Sequence, residues 1–192
     1  MDSIHEAIWV AHSLFDRNKV SGSSANMSIK IDGDLLITKS GSCFGNLSEN
    51  DFCNTKLEYK EIKPSKELPL HEYLYKNNKD IKAVIHTHST YSTLASCLYK
   101  PTKERYIEID SPTPYLKIKV GKVGRVDDSE PGSEELFSKF KNSLIEGCDV
   151  YLLKNHGVII GAENIMEAFY KLEEFEEACR NSFLINQYKG DY

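Results

Sequence analysis

The sequence predicts an α/β fold in which helices cover both faces of one sheet. Short apolar runs of strand length, such as residues 150–153, alternate along the chain with segments whose apolar residues recur at helical spacing, such as 165–179. The length of 192 residues is that of one domain, and no repeat, linker or low-complexity segment divides it. We therefore expect residues 1–192 to form a single domain in which strands and helices pack in layers.

The composition argues against nucleic acids and membranes as partners. The chain carries 24 basic and 29 acidic side chains, and its formal net charge of −5 offers little attraction to a phosphate backbone. No apolar run approaches the roughly 18 residues of a membrane span, and the N-terminus lacks the basic flank of a signal peptide. Five cysteines without a CxxC spacing argue against a disulfide framework and against a zinc ribbon. We therefore expect a cytoplasmic protein.

The first half of the chain is predicted to begin with a helix and a hairpin. Ser3 and Glu6 have the spacing of a capping box, and apolar residues follow at helical intervals. The turn at 32–34 separates two apolar segments, the first of which alternates with polar residues, as is typical of a hairpin. The predicted elements are a helix over 3–18, hairpin strands at 27–31 and 35–37, a helix over 68–78, a strand at 83–85 and a helix over 91–98.

The second half is predicted to contain three more strands and two more helices. Leu116, Ile118 and Val120 alternate with lysines, which indicates a strand. Ser133 and the two glutamates after it are typical of a helix N-terminus. The predicted elements are the strand around 116–120, a helix over 133–144, buried strands at 150–153 and 158–160 followed by a turn at Gly161, and a long helix from 165 through 179.

Three histidines at strand ends could bind a metal ion. His86 and His88 are two residues apart, so a strand would point both imidazoles to the same face. Neutral imidazoles suit zinc and neighbouring metals, although such a pair can also be a polar strand end. His156 also falls at a strand end, before Gly157, which would let the chain turn sharply there, and it could complete a triad with open positions for substrate. The alternative for His156 is an ordinary junction between a strand and a turn.

Other polar residues allow a functional and a structural interpretation. Glu67 lies at a predicted helix N-terminus, where a carboxylate can cap the helix or serve in chemistry. His71 follows four residues later on the same helix face, and we interpret it as a structural histidine in preference to a fourth metal ligand. The loops at 21–26 and 40–42 are rich in small polar residues that could bind an anion, or they could be ordinary turns.

Five segments, in this order along the chain, carry a resemblance to a known family. They are SGSSANMS, LLITKSGS, KPSKELPLHEYL, AVIHTHSTYSTLAS and YLLKNHGVIIGA. Together they closely resemble the class II aldolase/adducin superfamily, and the resemblance covers nearly the whole chain. It implies a three-layer αβα sandwich with a mostly antiparallel central sheet, assembled as a homotetramer whose sites lie near subunit boundaries.

The resemblance also implies roles for individual residues. His86, His88 and His156 match the metal ligands, and Glu67 matches the catalytic carboxylate. Tyr115 matches a tyrosine that lies near the substrate in the aldolases. The residues that match or extend the phosphate cradle are Ser23, Asn26, Ser40, Gly41, Ser65 and Lys66. Two positions depart from the aldolase pattern: Ala25 replaces the usual glycine, and Lys66 stands where the aldolase has a second serine.

The implied activity is that of a metal-dependent lyase acting on a phosphorylated small molecule. The motifs of this sequence are most similar to those of the 3-oxo-tetronate 4-phosphate decarboxylase branch of the superfamily. The alternatives are an aldolase of the fuculose-1-phosphate type, then a sugar-phosphate epimerase or dehydratase, or a non-enzymatic module like adducin. Three imidazoles and a carboxylate favour Zn²⁺, with Co²⁺ or Mn²⁺ as alternatives.

Overall fold

A computed structural model describes residues 4–57, 63–99 and 104–189, which form an eight-stranded sheet with helices on both faces. The strands are β1 (Asn26–Ile31), β2 (Asp34–Thr38), β3 (Phe52–Asn54), β4 (Ala83–Thr87), β5 (Tyr106–Ile107), β6 (Val123–Val126), β7 (Val150–Leu153) and β8 (Gly157–Ala162). The helices are α1 (Ile4–Asp16), α2 (Leu68–Asn77), α3 (Thr90–Leu98), α4 (Glu134–Ser143) and α5 (Ile165–Lys189). The capping box predicted at Ser3 lies outside the described residues.

The sheet has the order β3-β2-β1-β4-β8-β7-β6-β5. All neighbouring strands pair antiparallel except β6 and β7, which are parallel. The predicted hairpin is confirmed, since Ile31 pairs with Asp34 across a turn in which Asp32 and Gly33 both have positive φ. The expected α/β class with a mostly antiparallel sheet is therefore confirmed.

Two apolar cores, one on each face of the sheet, produce the three layers. Residues of α1 and α5 pack with Ala83 and Ile85 on one face, whereas residues of α2 and α4 pack with Val84 on the other. This division follows from the strand, in which successive side chains point to opposite faces. Each large apolar side chain that becomes fully buried contributes about 1.5–3 kcal/mol to stability. None of the helices within the described residues combines the length and the hydropathy needed to cross a bilayer.

The strand predicted around 116–120 is wrong. Leu116–Val120 form one short π-helical turn, and the strand is the following β6. In a strand, Leu116, Ile118 and Val120 would share one face, but only Leu116 and Val120 are buried while Ile118 is 67% exposed. The buried pair, four residues apart, packs beside α5 as on a helix face, so the alternation in the sequence was fortuitous.

The turn predicted at Gly161 is also wrong, because β8 continues through it to Ala162. Gly161 pairs with Val84 of β4, and its N–H donates a hydrogen bond to the carbonyl of Asp149. A Cβ at this position would lie 2.6 Å from the Cδ1 atom of Ile81. The glycine therefore allows the Ile81 side chain to pack closely against the strand.

Candidate active site

The three predicted histidines converge at one end of the central strands. His86 is the penultimate residue of β4, His88 directly follows that strand, and His156 lies in the turn between β7 and β8. His86 Nε2 lies 3.0 Å from His88 Nε2 and 3.3 Å from His156 Nε2. One nitrogen from each ring lies within 4.8 Å of the other two, which is a spacing that allows all three to contact one ion.

Gly157 allows the turn that carries His156 to approach β4. Strand β8 pairs directly with β4, with Thr87 opposite Val158. A Cβ on Gly157 would collide with the carbonyl oxygen of Thr87 and would lie 3.1 Å from Cδ2 of His88. The glycine predicted to permit a sharp turn is therefore needed for close approach of two strands beside the site.

His86 and His88 are in the chemical state that binds metals. His86 Nδ1 lies 2.9 Å from the carbonyl oxygen of Val158. Because a carbonyl only accepts, Nδ1 carries the proton and Nε2 presents its lone pair to the other two rings. Burial lowers the pKa of His86 to about 3 and that of His88 to about 4, so both rings are neutral near pH 7.

Glu67 faces the imidazoles and does not cap its helix. It occupies the position before α2, yet its side chain makes no capping hydrogen bond. Its Oε2 lies 3.3 Å from His86 Nε2, and its Oε1 lies 3.3 Å from His156 Nε2. Burial by itself would raise the pKa of Glu67, but the electrostatic effect of His86 and His156 and a hydrogen bond from Asn26 outweigh it and hold that pKa well below its usual value.

The donor set fits a divalent metal ion. Glu67 Oε1 is buried and has no hydrogen-bond partner among the described residues, although it lies 3.3 Å from His156 Nε2, one of the three nitrogen atoms that converge. A buried anionic oxygen without a hydrogen-bond donor is costly unless a cation satisfies it. Neutral imidazoles and an ionised carboxylate are ligands of the kind found in catalytic zinc sites, which keep a position open for substrate.

Asn26 connects the first polar loop to Glu67. It is the first residue of β1 and lies opposite His86 on β4, so the two side chains share a face of the sheet. Its Nδ2 donates a hydrogen bond of 2.9 Å to Glu67 Oε2, and its Oδ1 lies 2.6 Å from His71 Nε2. Asn26 thus contacts Glu67 directly in addition to lining the cavity described next.

A polar cavity of about 210 Å³ adjoins the histidines. All six residues expected in the phosphate cradle line it, together with Glu67, His88 and His156. The loop before α4 also contributes to its wall. The lining residues are Ser23, Ser24, Ala25, Asn26, Lys39, Ser40, Gly41, Ser65, Lys66, Glu67, His88, Pro131, Gly132 and His156. The cavity therefore combines hydroxyl, amide and ammonium groups that can bind an anion next to the candidate metal ligands.

Two parts of this wall were missed by sequence reasoning. Lys39 immediately precedes the predicted Ser40-Gly41 pair, and its ammonium group forms an ion pair with Asp51. Pro131 and Gly132 precede Ser133, the N-cap of α4, and only their position before a helix N-terminus could have drawn attention to them.

Tyr115 is not brought to this cavity. It lies at the start of the short π-helical turn, its side chain is 55% exposed, and it is not among the residues that line the cavity. The role that the sequence resemblance implies for Tyr115 stays a prediction.

Glu176 of α5 is a buried carboxylate that supports the strand end at His88. Its Oε2 accepts hydrogen bonds from Ser89 Oγ at 2.9 Å and from the Ser92 N–H at 2.8 Å, and its Oε1 accepts one from the Tyr91 N–H at 2.9 Å. These donors belong to the N-terminal turn of α3, where a negative charge is favoured. Since Ser89 directly follows His88, Glu176 holds the backbone next to a candidate metal ligand.

Comparisons with known proteins agree with this geometry. Residues 5–183 match the family model described as "Class II Aldolase and Adducin N-terminal domain". An L-fuculose phosphate aldolase of Methanococcus maripaludis is 38% identical over 184 residues, which cover 95% of this chain and 97% of that protein. The 3-oxo-tetronate 4-phosphate decarboxylase of Escherichia coli K12 is 35% identical over 180 residues, which cover 92% and 84% respectively.

The fold is also found in a crystal structure. YgbL of Escherichia coli, described as a putative aldolase/epimerase/decarboxylase, superposes with a TM-score of 0.86 at 34% identity. The superposition covers 94% of this chain and 88% of that one. The similarity therefore extends over the strands and turns that position the three histidines.

Proposed function

The chain belongs to the class II aldolase and adducin family, and from that premise we propose that it is a metal-dependent lyase that breaks a carbon–carbon bond in a phosphorylated sugar or sugar acid. The observation that carries this proposal is the convergence of three histidine nitrogens and the Glu67 carboxylate beside a cavity lined with anion-binding groups. Both features are needed, since the reaction requires stabilisation of the charge at the cleaved bond and binding of the phosphate group.

His86, His88 and His156 would hold the divalent metal ion, with Glu67 as a further ligand before substrate arrives. When bound, the ion supplies Lewis-acid stabilisation of the negative charge that develops as the carbon–carbon bond breaks. The set of neutral nitrogens with one carboxylate favours Zn²⁺, and Co²⁺ or Mn²⁺ are the alternatives. The Val158 carbonyl maintains the required tautomer of His86.

The phosphate of the substrate would bind to the loops that line the cavity. Hydroxyl groups of Ser23, Ser40 and Ser65 and the backbone of Gly41 are donors suited to phosphate oxygens, and the Asn26 amide and the Lys66 ammonium add to them. Lys66 contributes a full positive charge in place of the serine hydroxyl of the aldolase pattern. Such contacts hold the phosphate, which does not react, so they contribute mainly to substrate affinity.

Glu67 is the group we propose to move protons. Cleavage leaves the bonding electron pair on the carbon that stays with the carbonyl group, and that carbon must then gain a proton. An aldol cleavage also requires removal of a proton from the hydroxyl group of the departing fragment. Glu67 is buried, and its two carboxylate oxygens lie 3.3 Å from His86 Nε2 and His156 Nε2, so the carboxylate is placed where it can accept a proton and later return it.

Decarboxylation is the first choice for the reaction, and aldol cleavage is the second. The motifs around Glu67 and His88 are most similar to those of the decarboxylase branch, and the E. coli decarboxylase is 35% identical. The 38% identity to an L-fuculose phosphate aldolase supports the second choice. A sugar-phosphate epimerase or dehydratase ranks below both. The retention of all three histidines and Glu67 argues against a non-enzymatic module.

The experiment that tests this proposal is a screen of phosphorylated four- to six-carbon ketoses and 3-keto acids with the metal-loaded protein. CO₂, aldehyde and dihydroxyacetone phosphate are assayed separately, and each compound is paired with its unphosphorylated counterpart. Release of CO₂ alone supports the decarboxylase, whereas aldehyde with dihydroxyacetone phosphate supports the aldolase. Absence of turnover on the whole panel, or equal turnover with and without phosphate, would contradict the proposal.

A homotetramer is the assembly that we propose. Tyr115 is exposed and outside the cavity of its own chain, and Ile118, three residues later, is exposed as well. Packing of subunits could bring this tyrosine to the cavity of a neighbouring subunit, where its hydroxyl would serve as a proton donor or hydrogen-bonding group. Light scattering measures the assembly directly, and a monomer in solution would contradict it.

A further inference from the structure

A continuous line of buried polar side chains leads from α2 to Glu67. Tyr75 Oη lies 2.8 Å from Ser28 Oγ, which lies 2.7 Å from His71 Nδ1. The opposite nitrogen of His71, Nε2, lies 2.6 Å from Asn26 Oδ1, and Asn26 Nδ2 lies 2.9 Å from Glu67 Oε2. Ser28 and His71 are fully buried, so these contacts replace their contacts with water.

The hydrogen bonds of this line have only one consistent set of directions. The ionised carboxylate of Glu67 only accepts, so Asn26 must direct its NH₂ group to Glu67 and its carbonyl oxygen to His71. An amide oxygen also only accepts, so His71 Nε2 carries a proton. Burial lowers the pKa of His71 to about 3, and the ring is neutral. Its Nδ1 is therefore an acceptor, which receives the Ser28 hydroxyl proton, and Ser28 accepts from Tyr75.

We infer that His71 is a positioning residue that fixes the Asn26 amide and, through it, the carboxylate of Glu67. This inference rests on the proposed role of Glu67 in proton transfer. The Nε2–H of His71 stabilises only the orientation in which Asn26 presents its NH₂ group to Glu67. In the flipped orientation, the amide oxygen of Asn26 would face the carboxylate and repel it.

The geometry of α2 explains why a histidine can do this. Glu67 immediately precedes the helix, and His71 is four residues later, so both lie on the side of α2 that faces β1. Asn26 and Ser28 lie on β1, two residues apart and on one face of the strand, where they contact the two opposite nitrogens of the ring. The ring thus bridges both strand residues, and its tautomer determines whether the NH₂ group or the oxygen of the Asn26 amide faces Glu67.

A pair of amide substitutions separates positioning from structural support. The amide of His71→Gln reaches the place of Nε2 and can still donate to Asn26. The shorter amide of His71→Asn reaches only the place of Nδ1, where it keeps the contact with Ser28. We expect His71→Asn to lower kcat about 10–100-fold, in line with other groups that orient catalytic ligands, with KM within a few-fold of wild type. His71→Gln should retain kcat within a few-fold.

Controls make the result interpretable. Tyr151→Phe removes a buried hydroxyl on β7, three strands away from β1, that bonds to the backbone of Ile145, and it should lower stability without changing kcat. If His71→Asn does not fold, Ser28→Ala removes the donor to Nδ1 in a smaller change and should lower kcat at constant KM. Wild-type kcat in whichever of these two variants folds, or a rise in KM alone, would overturn the inference.

A second measurement needs no substrate. Nitrogen NMR of the metal-free protein labelled with ¹⁵N-histidine reports which ring nitrogen of His71 is protonated, with His71→Gln used to assign the signal. We expect a neutral ring with the proton on Nε2. A proton on Nδ1, or on both nitrogens near pH 7, would overturn the inference. This result stands even if the wild-type enzyme cleaves none of the proposed substrates, an outcome that would contradict the proposed function instead.

Discussion

Asn26 Nδ2 donates a hydrogen bond to Glu67 Oε2 over 2.9 Å, which joins two segments that lie 41 residues apart in the sequence. The sequence placed Asn26 in a loop that could bind an anion. It allowed Glu67 to be interpreted as a catalytic base or as a helix cap. Their contact means that a change at Asn26 alters the orientation of Glu67 as well as the cavity wall. Substitution of Asn26 should therefore change both substrate affinity and turnover. Substitution of a phosphate-cradle residue that does not contact Glu67 should change substrate affinity alone.

The first prediction uses this difference. Ser40 lines the cavity, and its side chain is not among the contacts of Glu67. Ser40→Ala should raise KM for a phosphorylated substrate about 5–10-fold, equivalent to the loss of one hydrogen bond of about 1 kcal/mol, and leave kcat nearly unchanged. Asn26→Ala should raise KM and also lower kcat at least tenfold. Steady-state kinetics of both variants measure these changes in KM and kcat. The unphosphorylated analogue of the substrate is the control, because Ser40→Ala should not affect kcat/KM for that analogue. A fall in kcat for Ser40→Ala with unchanged KM would contradict the role of Ser40 in binding the phosphate.

The second prediction concerns the histidine triad. Alanine at His86, His88 or His156 should abolish activity and lower the metal content, because each removes one of three nitrogen ligands. His5→Ala, at an exposed histidine of α1, is the matched control and should keep both. Metal analysis, turnover and circular dichroism are measured on the same preparations. A folded triad variant with full metal content and wild-type turnover would remove that residue from the site.

The sequence was informative where a local rule decides the outcome. Alternation along a strand predicts that His86 and His88 point the same way, and Gly157 predicts a sharp turn beside His156. Both expectations agree with the structure because they depend on backbone geometry within a few residues. The same rule failed at Leu116, Ile118 and Val120, where packing beside α5 selected a helical turn. Strand alternation and a single turn of helix can give the same short pattern, so only tertiary contacts distinguish them.

Contacts between distant segments were beyond sequence reasoning. His71 could be interpreted as structural, but its partners Asn26 and Ser28 lie on another element. Glu176 gave a weak signal, because it lies four residues after Leu172 and three before Cys179 on the apolar face of α5. A charged residue at an apolar position requires a buried partner, but nothing near it in the sequence identifies the N-terminus of α3 as that partner.

The third prediction concerns Glu176. Glu176→Ala should leave two buried donors and one half-buried donor at the start of α3 without their acceptor, which costs about 3–5 kcal/mol for a charge-assisted cluster. The affinity for a divalent metal should also fall, because Ser89 is adjacent to His88. Glu177→Ala is the matched control, since this exposed residue pairs with Arg180 at the surface and should cost less than about 1 kcal/mol. Chemical denaturation and a Co²⁺ titration measure the two effects, and a Glu176→Ala protein as stable as Glu177→Ala would contradict this role.

The fourth prediction tests whether Tyr115 acts on a neighbouring subunit. Glu67→Gln and Tyr115→Phe should each lower turnover in a homogeneous assembly. Mixed assemblies formed by co-expression should regain activity, because an intact Glu67 from one chain can then meet an intact Tyr115 from another. Co-expression of Glu67→Gln with His86→Ala is the control and should regain none, since both changes damage the cavity of a single chain. Mixed assemblies no more active than the separate variants would contradict a role of Tyr115 between subunits.

The fifth prediction separates proton transfer from metal binding at Glu67. Glu67→Gln keeps the shape of the side chain but removes the group that accepts and returns a proton. Three imidazoles remain to hold the ion, so metal content should stay close to that of wild type. Turnover should fall about 10²–10⁴-fold, the usual contribution of a positioned acid–base group.

A helix cap would behave differently at this position. Loss of a capping carboxylate would cost about 1 kcal/mol of stability and leave the rate nearly intact. The side chain makes no capping hydrogen bond and lies 3.3 Å from both His86 and His156, so we expect the loss of rate. Glu72→Gln, on the exposed side of the same helix, is the matched control, because it loses only a surface pair with Lys76 and should keep wild-type turnover. Measuring kcat and metal content on one preparation decides the question. A metal-loaded Glu67→Gln enzyme within a few-fold of wild type would show that proton transfer depends on another group.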